Sequence, residues 1–294
     1  MIKKSFVYII LLVLGFSLFA LTGCVIKDVK IEGEVIKKEY TELEGKKIVI
    51  EDISLKENFS TIRPFVRFNG KSKTKLITIK AQEGLFDYIN VKEKGDTIII
   101  SGNSRDYYLT NSVQIEVNGY YLDEMTFDFC EVDIDDTSCG KNYTLNASAA
   151  SEVRFNYYNG DYFNAHISGA SRLTLNAITA TEVTIIASGA SKFNGTDIET
   201  STLKLTLSGA SKSIVYGGAG DLELECSGAS SFEGDNFRVD KASVRLSGAS
   251  SALVKVSESL DYELSGASSL IYYGSPTISK AKTSGGSTAS KQGK

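Results

Sequence analysis

A parallel β-solenoid is the fold this sequence predicts. Two observations predict it: a tetrapeptide that returns about every 20 residues, and apolar residues at period two in front of each copy. Ser-Gly-Ala-Ser starts at Ser168, Ser188, Ser208, Ser227, Ser247 and Ser265, with spacings of 20, 20, 19, 20 and 18 residues. Weaker copies stand at Ser148-Ala149-Ala150-Ser151 and Ser284-Gly285-Gly286-Ser287. A period of this length with strand-like content signals stacked coils.

Positions one, three and five before the first Ser are apolar in every coil. Ile167, Ala165 and Phe163 precede Ser168; Leu207, Leu205 and Leu203 precede Ser208; Cys226, Leu224 and Leu222 precede Ser227. Polar residues such as Asn164, His166, Lys204, Thr206, Glu223 and Glu225 stand between them. That alternation is a strand with one buried face. A repeat this short has no room for a strand, an ordinary helix and two loops, so each coil is two or three short strands joined by turns. At roughly 4.8 Å per coil, eight coils make a rod on the order of 40 Å long.

The chain divides as follows. Residues 1–23 have the layout of a lipoprotein signal: Lys3 and Lys4, an apolar run from Phe6 to Ala20, then Leu21-Thr22-Gly23-Cys24. In that layout Cys24 is cleaved free and diacylated. The other reading of the run is an uncleaved membrane anchor, for which it is only just long enough. Both readings export the body and hold it at a membrane. Val25 rather than Asp follows Cys24, so no inner-membrane retention signal is present. Residues 24–38, which include the lipid-bearing Cys24, read as a short tether or a first strand. Residues 39–121 offer short apolar runs, including Ile48-Val49-Ile50, Thr97-Ile98-Ile99-Ile100 and Val113-Gln114-Ile115-Glu116-Val117, separated by Gly- and Asn-containing clusters. They read as strands and turns forming an irregular β-rich cap over an otherwise open strand edge. Residues 122–287 are the coils. Extending the register backwards places Met125, Phe127 and Phe129 inward, with Cys130-Glu131-Val132-Asp133 at the tetrapeptide position. Residues 288–294 read as a disordered tail.

In the tetrapeptide, Gly169, Gly189, Gly209, Gly228, Gly248 and Gly266 suit a stacked corner that imposes a positive φ or a close backbone approach. Ala beside each is small enough to point into that corner. Hydroxyls one coil apart are too distant to bond each other, so the Ser side chains bond nearby backbone or water. An ice-binding hydroxyl array is disfavoured, because its hydroxyls would stand two apart on a strand face.

Without the two signal lysines the body carries 30 basic and 36 acidic residues, a net charge of −6. No basic stripe interleaved with aromatics occurs, which argues against nucleic acid as a partner. Cys226 takes an inward position. Cys130 and Cys139 could pair in an oxidising compartment, and spacing alone leaves that open.

The lipobox, Lys94-Gly95-Asp96-Thr97-Ile98-Ile99-Ile100 and the recurring Ser-Gly-Ala-Ser coils resemble the head GIN domain family, also called putative auto-transporter adhesins. The resemblance covers about residues 35–287. It implies a right-handed, single-stranded β-helix in the bacterial envelope, and brings no catalytic residues.

Because some parallel β-helices are polysaccharide lyases or hydrolases, an enzyme has to be weighed. Glu131, Asp133 and Asp135 alternate and could share a face as a weak Ca²⁺ site, against the plainer reading of an exposed acidic strand. The residue two before each tetrapeptide is His166, Ile186, Thr206, Glu225, Arg245 or Glu263, so no carboxylate pair recurs at one level. His166 and Ser168 lack a positioned acid. Aromatics gather near the first coils, and in Tyr157-Tyr158 and Tyr272-Tyr273 a regular strand turns at most one ring of each pair inward. The other is free for carbohydrate stacking or a protein partner. The sequence therefore predicts a non-enzymatic, lipid-anchored envelope protein, facing outside the cytoplasm, that binds or adheres to a surface glycan or protein without a cofactor. The alternative is a structural or signalling envelope component acting through protein contacts, and the third reading is a carbohydrate-active enzyme.

Overall fold

The computed structural model describes residues 29–57, 60–103, 106–136 and 139–293. Cys24 and the apolar run before it lie outside them. Among the described residues no helix is long and apolar enough to cross a membrane.

Strands Glu152–Ile167, Arg172–Ala187, Lys192–Leu207, Lys212–Cys226, Ser231–Leu246 and Ser251–Leu264 stack in parallel, each joined to the next by one tetrapeptide. Val153 pairs with Leu173, Leu173 with Phe193, Phe193 with Ser213 and Ser213 with Phe232, so one column runs up the rod. Pairing between the first two coils is interrupted at Asn156 and Asp161, which divides the coil into stretches 152–155, 157–160 and 162–167 around one core. Val153, Phe155, Tyr158, Phe163, Ala165 and Ile167 are buried. The period-two pattern read from the sequence is thus the inward face of the third stretch.

Packing inside the coils is complementary in size. A Cβ at Gly234 would stand 2.5 Å from the Phe232 ring, so the glycine makes the room that the ring fills. A hydrogen at Gly195 likewise leaves space for Ile198 and Phe193. Near the start of the coils Tyr143, Phe155, Tyr158 and Phe163 form a ring cluster with centroids 5.2 to 6.3 Å apart. Such offset and edge-on contacts add to the burial of large apolar area.

The tetrapeptide is a turn whose Gly takes the left-handed conformation, with φ +70° at Gly209. The Ala210 N–H donates to the Gly189 carbonyl at 2.7 Å, and the same bond joins corner to corner up the rod. The final Ser, not the Ala, points inward: Ser171, Ser191 and Ser211 are buried while Ala170, Ala190 and Ala210 are exposed. The reason is the turn itself, which carries Gly and Ala over its outer rim and returns the chain inward at the Ser. The Ser191 and Ser211 hydroxyls donate back to the Ser188 and Ser208 carbonyls, both at 2.7 Å, so these two buried hydroxyls are satisfied locally.

Coil stacking continues below residue 122 further than expected. Lys47–Glu51 pairs in parallel with Leu122–Asp128, and Thr97–Ser101 pairs in parallel with Lys47–Glu51. Phe65–Asn69 lies parallel to Glu131–Asp136, and Gln114–Asn118 parallel to Phe65–Asn69. Two regular rungs thus precede the coils, with the later segment of the chain outermost. The cap proper is antiparallel: Leu76–Gln82 on Gln114–Asn118, Val35–Tyr40 on Leu76–Gln82, and Asn90–Lys94 on Thr97–Ser101. These strands occupy backbone donors and acceptors that an open end would expose.

Two expectations are corrected. Phe127 pairs with Ala147 and Asp128 with Ser148, so Phe129 falls at the corner, with φ +56°, and is only half-buried. Cys130 instead takes the inward place of the final Ser, its N–H donating to the Ser151 hydroxyl at 3.0 Å. The register shift arises because this corner is shorter than the tetrapeptide, which sequence periodicity does not reveal. At the other end, Thr288–Lys291 is a strand parallel to Ser269–Tyr273, where a disordered tail was expected. Backbone pairing orders it although its side chains are small and polar.

Candidate functional site

The acidic strand comes first, because it is the place where a metal or acid–base pair was considered. The Arg154 guanidinium lies 3.2 Å from Glu131, 3.4 Å from Asp133 and 2.9 Å from Glu152. Arg67 approaches Asp135 at 3.7 Å, and the Asn156 amide donates to Asp135 at 3.2 Å. The hydrogen bond to Glu131, followed by the charges of Glu152 and Asp133, drives the Arg154 pKa further above its ordinary value. Carboxylates already engaged by guanidinium groups are poor hard-cation ligands. Among the described residues no group of three or more His, Cys, Asp or Glu is placed to hold a metal ion.

His166 is exposed and stands between Asn146 and Ile186 in its column. Neither neighbour is a carboxylate, and the Asn146 amide is already engaged by Glu124 and Thr126, so neither offers the acid of a Ser-His-acid triad. Further along the same face Arg245 lies 3.0 Å from Glu225, and Lys282 lies 3.5 Å from Glu263, which Lys280 also contacts. These ladders border an open groove of about 870 Å³ running beside the corners. Opposite charges alternate up it, which leaves no like-charged carboxylate pair of the kind that drives a pKa upward for general acid work.

The three described cysteines are free and buried. Burial pushes the Cys139 and Cys226 thiols up to about 12, and the Cys130 thiol up as well. Thiols held neutral in the core are poor nucleophiles.

The tyrosines divide as strand alternation requires. Tyr157 is 44% exposed, whereas Tyr158 is fully buried and sends its hydroxyl to the Lys141 carbonyl at 2.7 Å and the Tyr162 carbonyl at 2.8 Å. Tyr158 therefore leaves the set of binding candidates: its ring is core and its hydroxyl ties two coils together. Tyr272 and Tyr273 are both half-buried, Tyr272 packed on the core and Tyr273 bonded to Gln292 at 3.1 Å. The most open rings are others, Tyr121 at 56% and Tyr162 at 46%, with Tyr216 at 45% three coils further on. Tyr162 signalled itself in the sequence only by standing one residue before the inward Phe163. Tyr121 directly precedes the strand that begins at Leu122, and Tyr216 is skipped where the pairing register shifts, places at which period-two reasoning fails.

Tyr121 and Tyr162 stand two coils apart in the stack. Tyr121 precedes Leu122, which pairs with Cys139, and Tyr162 pairs with Asn142 below and Glu182 above. The Tyr162 carbonyl accepts from the Tyr158 hydroxyl, whose pKa is raised by burial above all and, to a smaller extent, by Cys139, Asp161 and the Tyr121 phenol. Lys141 lies 4.0 Å from Asp161 and Lys204 2.8 Å from Glu182, with Asp123 beside Gly140 and Glu223 beside Lys204 in the next coil.

What fold and surface define together is a rigid β-solenoid that displays polar and aromatic side chains on outward faces. The chain belongs to the head GIN domain family: the family model described as "Putative auto-transporter adhesin, head GIN domain" matches residues 66–217 and 164–276. Among solved structures it is similar to a putative lipid binding protein from Parabacteroides distasonis ATCC 8503, with 17% identity, a TM-score of 0.61 and coverage of 90% of this chain and 100% of that one. A putative adhesin from the same organism matches at 14% identity and TM-score 0.64, covering 90% of this chain and 100% of that one. Another, from Parabacteroides merdae ATCC 43184, matches at 15% identity and TM-score 0.60, covering 90% and 99%. At these identities the likeness is one of fold. No curated protein matches the sequence.

Proposed function

We propose that this protein is a non-enzymatic binding module of the bacterial cell envelope, held by a lipid on Cys24 with its solenoid facing away from the cytoplasm, where it adheres to a surface partner. The observation that carries the reading is the set of exposed tyrosines on a rigid rod. Rigid aromatic side chains give contact area at little entropic cost. The adhesin description of the family and the lipobox at Leu21-Thr22-Gly23-Cys24 support the setting. The engaged carboxylates around Arg154 support a binding rather than a catalytic role.

Two measurements test it on the full chain. Cys24→Ala moves the protein out of the membrane fraction of cells; undiminished membrane association refutes the lipid anchor. Purified protein shows saturable binding on an array of glycans and matrix proteins, with and without Ca²⁺; a blank array with folded protein refutes adhesion.

A further inference from the structure

We propose that Tyr121 and Tyr162, with Asn142 and the Glu182–Lys204 pair beside them, form a binding surface for a neutral oligosaccharide lying along the solenoid axis. The inference rests on the binding-module reading above and names its site and ligand class.

Three features select that class. The rings are open, at 56% and 46%; the Tyr162 backbone is fixed by pairing to coils on both sides, and Tyr121 stands directly before the strand that begins at Leu122. Tyr158 braces the rim from within, because its hydroxyl bonds the Tyr162 carbonyl itself. A ring held this way offers a flat apolar face with a polar tip, suited to the C–H face of a sugar with hydroxyls at its edge.

The second feature is charge. Lys141 is matched by Asp161 and Lys204 by Glu182, while Asp123 stands beside Gly140 and Glu223 beside Lys204, so the corner leans acidic. A sulfated or sialylated chain would meet more repulsion than attraction, whereas sugar hydroxyls can donate to the carboxylates and accept from the ammonium groups. Third, the polar groups lie on a ladder. Asn142, Tyr162 and Glu182 occupy the same outward position in successive coils, and Thr144, Asn164, Thr184 and Lys204 stand in the column beside them. Asn142 is exposed and brings an amide with both donors and an acceptor. Because coils repeat at roughly 4.8 Å, an extended chain of sugars running up the axis meets one such group per coil. A protein partner would favour an apolar centre depleted in charged residues, which this corner lacks.

The test uses full-length protein in detergent and an array of neutral, sialylated and sulfated oligosaccharides, followed by titration of the best neutral ligand. Trp is absent from the sequence, so intrinsic tyrosine fluorescence reads the interaction directly. Wild type binds neutral hexose oligosaccharides, Tyr162→Ala weakens binding about tenfold or more, Tyr162→Phe keeps most of it, and Lys192→Ala, at the start of a coil and away from the Tyr162 column, leaves it unchanged. All these side chains are exposed, and circular dichroism confirms that each variant is folded. Preference for anionic glycans, an equal loss in Lys192→Ala, or full binding by Tyr162→Ala overturns the inference. Binding to a protein on the wider array with no neutral glycan bound overturns it too, while leaving the binding-module reading intact.

Discussion

Replacing Gly209 by Ala adds one methyl to a corner that has no place for it. The new Cβ would lie 2.5 Å from the Gly189 carbonyl oxygen and 3.1 Å from its nitrogen, both backbone atoms, and the oxygen already accepts the corner-to-corner hydrogen bond from Ala210. With φ at +70° the residue also sits in the left-handed region, which costs a non-glycine about 1–2 kcal/mol. Overpacking against backbone adds about 1–3 kcal/mol, and the stiffer unfolded chain returns about 0.4–1 kcal/mol. The net loss is about 1–5 kcal/mol. Gly169→Ala is the internal control. Its φ is the same, +70°, but the nearest atom is the Ala149 nitrogen at 3.2 Å, because the Ala149-Ala150 corner below takes a different course with positive φ at both residues. Its cost reduces to the conformational part, about 0–1.5 kcal/mol. Urea unfolding followed by far-ultraviolet circular dichroism measures both. Equal losses in the two variants, or an unchanged midpoint for Gly209→Ala, would refute the claim that coil stacking leaves no room at the corner.

Tyr158→Phe removes the hydroxyl that links Lys141 and Tyr162, and unfolding free energy drops by about 1–2 kcal/mol; no change would mean that water replaces the bond. Arg154→Ala frees Glu131 and Asp133, so Ca²⁺ raises the melting temperature of the variant while wild type is indifferent to it; a Ca²⁺ response in wild type would contradict the closed ion-pair geometry. The buried thiols contribute to a loss of stability at alkaline pH. Cys226 rises from an ordinary value near 9.0 to about 12 in the folded protein. Its contribution to stability is complete below pH 9 and is lost as the pH climbs towards 12, because only the unfolded chain ionises there. Urea midpoints at a series of alkaline pH values should therefore fall less steeply in Cys226→Ala, and an identical slope would show that the thiol is not protected.

Much of the solenoid was legible because a coil repeats its own chemistry. Ile167, Ala187 and Leu207 stand at one level in successive coils and are buried there, as the alternation requires. The same logic misplaced Phe129, because one shortened corner shifts the register while the local pattern still looks regular. It also put Ala at the inside of the turn. Side-chain size suggested that arrangement, and the direction of the chain through the turn decided against it.

By itself the sequence determined the fold class, the period and the inward face of each third stretch, since all three follow from residues within one coil of each other. Only the tertiary structure decided how Lys47–Glu51 and Thr97–Ser101 order themselves below Leu122, which carboxylates find an arginine, and which tyrosines stay open. Those outcomes depend on partners one or more coils away, and a partner's place in the stack is set by the path of the whole chain.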